Sequence, residues 1–111
     1  MSDKMDKILN EFVNGIHNIL GNRVKKIILY GSYARGEYNN ESDIDIMILT
    51  DLEDNEIVEY RAIISDFTFD LELENNVCFS PIIKNIDKFN YWIDTLPFYM
   101  NVQKEGIILN G

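Results

Sequence analysis

From Met5 to Leu20 the apolar residues Met5, Ile8, Leu9, Phe12, Val13, Ile16, Ile19 and Leu20 recur at the i, i+3, i+4, i+7 spacing of one helix face. This predicts an amphipathic helix that Gly21 stops. The pattern then changes. Val24 to Tyr30 is short, apolar and β-branched after Lys25-Lys26, and it ends at Gly31, which predicts a largely buried strand followed by a tight turn. A second strand is predicted over Asp43–Thr50, and the polar stretch between them has room for one helical turn and a loop.

The stretch from Leu52 to Glu74 supports two readings. Ile57, Tyr60, Ile64, Phe67 and Leu71 share a helix face, yet Phe67, Phe69, Leu71 and Leu73 alternate with polar residues as a strand would. The favoured reading is a long helix ending near Asn75, then a strand over Val77–Ile83. Beyond Lys84 a short helix is predicted with Asp87 as N-cap, placing Phe89, Trp92, Ile93 and Leu96 on one side. Pro97 suits the first turn of a last helix running through Val102 to Gly106, with Ile107-Ile108-Leu109 packing as a tail. The order describes a single α+β domain over residues 1–111, in a two-layer α/β arrangement with a small mixed β-sheet flanked by helices.

Composition narrows the partners. The 111 residues hold 10 Lys+Arg against 19 Asp+Glu, a net charge of −9. Non-specific nucleic-acid binding draws its affinity from cations that neutralise phosphates, so that class is excluded. Cys78 is the one cysteine, which rules out a disulfide within the chain and fits a reducing, cytoplasmic setting. No apolar run is long enough for a membrane span or a signal core.

The segment that carries chemistry is Gly31-Ser32 followed, after residues 33–42, by Asp43-Ile44-Asp45. Strand side chains alternate between faces, so Asp43 and Asp45 would project together with Cα atoms about 6.5 Å apart. Carboxylates that close repel unless a cation sits between them, and magnesium favours a few carboxylates completed by substrate phosphates. Gly31 would let the backbone approach a phosphate, Ser32 offers a hydroxyl and an N–H, and Arg35 lies one turn further on toward the same anion. A Gly-Ser turn or an Asp-x-Asp pair alone is usually an ordinary turn or a solvated face. Together, in the context strand, turn, loop, strand, they specify a site.

Leu29-Tyr30-Gly31-Ser32-Tyr33-Ala34-Arg35-Gly36, with Ser42-Asp43-Ile44-Asp45, resembles the DNA polymerase beta-like nucleotidyltransferase superfamily, and within it the minimal nucleotidyltransferases. Ser80-Pro81-Ile82-Ile83-Lys84-Asn85 and Leu96-Pro97-Phe98-Tyr99 extend the resemblance over most of the chain. It implies a mixed sheet flanked by helices, a two-metal magnesium site on Asp43 and Asp45, and triphosphate binding by Gly31 and Ser32. The implied reaction is transfer of AMP from ATP to a hydroxyl. The implied partner is a toxin of the higher eukaryote and prokaryote nucleotide-binding (HEPN) class, whose tyrosine such antitoxins modify. Two rivals stay open: a contact antitoxin with a weakened nucleotide site, and transfer to a small molecule such as an aminoglycoside.

The chain departs from the superfamily pattern in one place. The strand expected to give a third carboxylate, Val77-Cys78-Phe79-Ser80-Pro81-Ile82-Ile83, holds no acid, and neither Cys78 nor Ser80 replaces a hard anionic ligand. Asp70, Glu72 or Glu74 would serve only if their stretch were a strand. Cys78 reads as a small buried hydrophobe, His17 as a non-catalytic residue bordering the first helix, and Trp92, Phe98 and Tyr99 as mainly core.

Overall fold

The computed structural model describes residues 2–110. The first periodic stretch is helix α1, Asp3–Leu20, opened by Ser2, whose hydroxyl accepts from the Met5 N–H at 3.1 Å. A short 3-10 turn, Gly21–Arg23, leads into strand β1, Val24–Tyr30. One helical turn, α2, covers Ser32–Arg35, and strand β2 runs Ile44–Thr50, one residue later than the pattern predicts.

The ambiguous stretch is a helix. α3 spans Asp54–Asn75, opened by a reciprocal cap between Glu53 and Glu56 and closed by Asn76 in the left-handed conformation. Its alternation is an accident of exposure: Ile57, Ile64, Thr68 and Leu71 are buried, while Phe69 and Leu73 stand on the outer face. Strand β3 is Phe79–Asn85 rather than Val77–Ile83. Glu72, on the last turns of α3, fixes its start by accepting the Phe79 N–H at 2.8 Å. The extension to residue 85 also moves the next cap: Asn85, not Asp87, opens helix α4, Ile86–Trp92, by accepting from the Lys88 N–H. Helix α5 is Pro97–Glu105, with proline in its first turn.

The tail that follows is strand β4, Ile107–Asn110, which the pattern did not reveal as a strand. The sheet order is β3-β2-β1-β4, with β1 antiparallel to both β2 and β4, and β2 parallel to β3. Alternation along the central strands separates two cores. Ile27, Leu29, Ile46 and Ile48 face α1 and α3, where Phe12 stacks on Phe79 with ring centroids 4.9 Å apart. Ile28, Tyr30, Met47 and Leu49 face α4 and α5 through Phe89 and Val102.

Three expectations for single residues change. Cys78 is exposed and precedes β3 instead of lying buried within it. Trp92 and Phe98 are 43% and 44% exposed, so of the three aromatic residues read as core only Tyr99 packs into one. Among the described residues no helix is long and apolar enough to cross a membrane.

Candidate active site

The site is built where β1 stops. Gly31 takes φ 76° and ψ −154°, a conformation that side-chain-bearing residues avoid, and turns the chain straight into α2. The Arg35 N–H donates to the Gly31 carbonyl at 3.1 Å, and Gly36, with φ 75°, ends the turn. Space as well as conformation requires glycine at 31, because an added Cβ would run into Oδ2 of Asp45.

Asp45 reaches this point through strand register. It pairs with Tyr30 across β1 and β2, and with Ser80 across β2 and β3. Ile44, between the two acids, points into the opposite core and is fully buried. The second acid, Asp43, is exposed and lies just before β2. Asp45 is half-buried; its burial pushes its carboxyl pKa up, the nearby charge of Asp43 adds to that shift, and Arg35 opposes it. Tyr30 responds to the same surroundings, its hydroxyl pushed up to about 12, first by burial and then by the Asp45 charge.

These residues open onto a cavity of about 310 Å³. Its floor is Tyr30, Gly31, Ser32, Arg35 and Asp45, and one wall is the inner face of α5, with Phe98, Asn101, Val102 and Glu105. The structure thus brings together four of the five residues singled out in the sequence on one cavity, and the fifth, Asp43, acts on Asp45 through its charge. Arg35 is engaged in the protein: its guanidinium donates to Glu37 at 3.0 Å and to Glu105 at 3.1 Å. The α5 wall was invisible in the sequence, since no local spacing ties residues 98–105 to residues 30–45.

The carboxylate pair fits a magnesium ion. Burial and then the neighbouring Asp43 charge raise the proton affinity of Asp45, no hydrogen bond among the described residues relieves it, and the open side of the cavity leaves room for phosphate oxygens and water as remaining ligands. No group of three His, Cys, Asp or Glu side chains among the described residues forms a complete metal cage. The position beside Asp45 on β3 is Ser80, and Asp70, Glu72 and Glu74 lie on or at the end of helix α3. A larger cleft of about 520 Å³ between α3 and β3 has Glu72 as its single carboxylate, and that group already holds the Phe79 N–H.

Residues 7–109 match the family model described as "Nucleotidyltransferase domain". A protein of Methanocaldococcus jannaschii, provisionally named a protein adenylyltransferase, is 38% identical over 104 residues, covering 94% of this chain and 96% of its own. Among solved structures, the MntA–HpeT toxin–antitoxin complex carrying two Asp-to-Glu substitutions superposes with a TM-score of 0.58 at 16% identity, covering 93% of this chain and 72% of that one. A toxin–antitoxin complex with AMP-PNP gives 0.55 at 18% identity, covering 91% and 72%. These structural likenesses show a shared fold, that of the polymerase beta-like nucleotidyltransferases.

Proposed function

The chain belongs to the nucleotidyltransferase domain family and is a nucleotidyltransferase enzyme, and from that premise we propose a magnesium-dependent transfer of AMP from ATP to a protein hydroxyl. The acceptor is a tyrosine of a HEPN-type toxin, and residues 1–111 act as one catalytic domain with the role of an antitoxin. The observation that carries this reading is the meeting of the Gly31-Ser32 turn and Asp45 at one cavity, with Asp43 near enough for its charge to act on Asp45. The provisional name of the archaeal relative and the toxin–antitoxin assemblies of the structural neighbours support a protein acceptor.

In this reading Asp43 and Asp45 hold the metal. Ser32, through its hydroxyl and N–H, and Arg35 receive the triphosphate, while Gly31 lets it approach the backbone. Bound magnesium supplies charge neutralisation on the phosphates and polarises the α-phosphate. The acceptor hydroxyl oxygen attacks the α-phosphorus and releases its proton to water, a P–O bond forms, the bond from the α-phosphorus to the oxygen of the β-phosphate breaks, and pyrophosphate leaves. Placement and charge do most of the work, which suits a shallow cavity whose acceptor arrives on another molecule. Arg35 must exchange its contacts with Glu37 and Glu105 for phosphate oxygens as the nucleotide enters.

One observation favours a second reading. Ser80 stands beside Asp45 where an acid would complete the site and receive the acceptor proton, so a contact antitoxin with weakened transfer is its rival. Incubating the protein with labelled ATP and magnesium, with and without the toxin, separates them: label on the toxin is expected, and a stable unlabelled complex would select the rival. In the Asp43→Asn, Asp45→Asn double variant labelling should disappear while the melting temperature stays equal or rises, because the repulsion between the acids is gone. Undiminished labelling in that variant would overturn the metal assignment.

A further inference from the structure

Resting on the nucleotide reading above, we infer that Phe98 and Asn101 form the base subsite of this cavity and select adenine over guanine. The cavity has two unlike ends. At one, Arg35 is paired with Glu105, so that end is charged and close to the Gly31-Ser32 turn. At the other, the lining is uncharged: Phe98 and Asn101, on successive turns of α5, face Tyr30. Asp45 pairs with Tyr30 in the sheet, and so lies between the phosphate-binding turn and the Phe98 end. A nucleotide whose triphosphate lies at Ser32 and Arg35 and whose α-phosphate lies at Asp45 therefore directs its nucleoside toward Phe98.

The chemistry of that end matches a base. Phe98 makes a T-shaped contact with Tyr30, centroids 5.6 Å apart and planes at 78°, and a tilted one with Tyr99 at 5.9 Å and 48°, which together fix its ring at the cavity. Phe98 is 44% exposed while it lines the cavity, so part of its apolar surface is open for a base to stack on. Asn101 presents one donor and one acceptor one turn away. A carboxamide pairs in two-point fashion with adenine N6 and N7, whereas guanine shows two acceptors on the same edge and leaves one group unmatched. Phe98 then supplies affinity to any base, and Asn101 supplies discrimination.

Calorimetric titration of the full chain with ATP, GTP and inorganic tripolyphosphate, each with magnesium, tests the assignment. The wild-type protein should bind ATP more tightly than either GTP or tripolyphosphate. Phe98→Ala should weaken ATP about 10-fold, the scale of one base–aromatic stack, and leave tripolyphosphate within about 2-fold. Phe98→Tyr keeps the ring and should keep ATP affinity, which separates stacking from a folding defect. Asn101→Ala should narrow the ATP-to-GTP ratio about 5-fold or more, the scale of one two-point contact. The inference is overturned if Phe98→Ala weakens ATP and tripolyphosphate equally, if it weakens neither, or if the wild-type protein binds ATP and tripolyphosphate alike. In that last outcome the phosphate site survives and only the base subsite fails; a protein that binds neither ligand would remove both readings.

Discussion

On the α1–α3 face, Ile8, Phe12, Ile16, Ile57, Ile64 and Leu71 close over Ile27, Leu29, Ile46 and Ile48 in a continuous apolar core. On the α4–α5 face Phe89 and Val102 cover Ile28, Met47 and Leu49, and the cover stops short of the β1 end, leaving Asp45 half-buried beside a cavity. The same strands serve both faces, and their alternation divides them so that each neighbouring residue goes to the other side. The contrast lies in the helices: 18 and 22 residues on the closed face, 7 and 9 on the open one. Stability is concentrated where the helices are long, and the chemistry sits where short helices leave a polar group unburied.

Substitutions sharpen that division. The largest effect on folding is expected from Phe12→Ala, which empties a fully buried ring site that stacks on Phe79 and touches Phe67. A loss of about 3–5 kcal/mol in urea unfolding is expected. Val102→Ala on the open face should cost about 1.6 kcal/mol for two lost methyl groups, and an equal loss at both positions would break the contrast. Gly31→Ala adds backbone strain of about 1–3 kcal/mol at φ 76° and forces Asp45 aside. Transfer of AMP should therefore fall by far more than stability does, as comparison of labelling with melting will show.

The smallest effect lies in the exposed ion pairs at the closed face's rim. Arg23 bonds to Asp51 and holds its carboxyl below the usual range; Glu56 is also lowered, first by the Glu53 N–H and then by Arg23. Carboxyls lowered on folding stabilise the native state at pH values above their unfolded range, and that contribution is lost as the pH falls through the folded values. The melting difference between wild type and Asp51→Asn should thus be slight at neutral pH, begin to shrink as the pH falls through the ordinary carboxyl range at about 4, and vanish only below the lowered value of Asp51. A difference that grew on acidification would contradict the pairing.

Elements defined by local pattern could be read from the chain alone. α1 has a clean apolar face and a serine cap, and β1 is bounded by charge before it and glycine after it. α3 was harder because Val58, Ile63, Phe69 and Leu73 are apolar yet exposed, which blurs a helical period into apparent alternation. β4 was missed because four residues of tail become a strand only by pairing with β1, some eighty positions earlier in the chain. The candidate site divides the same way. Gly31, Ser32, Asp43 and Asp45 were visible as a spacing, whereas Phe98, Asn101 and Glu105 join them only through the tertiary fold. Cys78 and Asp87 were misplaced for one shared reason: β3 begins and ends two residues later than its apolar run suggests.

Helices α4 and α5 leave the sheet from β3 at one edge and return as β4 at the other, so they cross the open face like a strap. Its returning end is a four-residue edge strand with Ile107 and Ile108 exposed. Amide exchange follows burial and pairing, so amides of the short edge strand β4 are expected to exchange before those of the central strands β1 and β2. Because the cavity wall α5 runs straight into that edge strand, a molecule lodged against α5 should slow exchange as far away as Asn110.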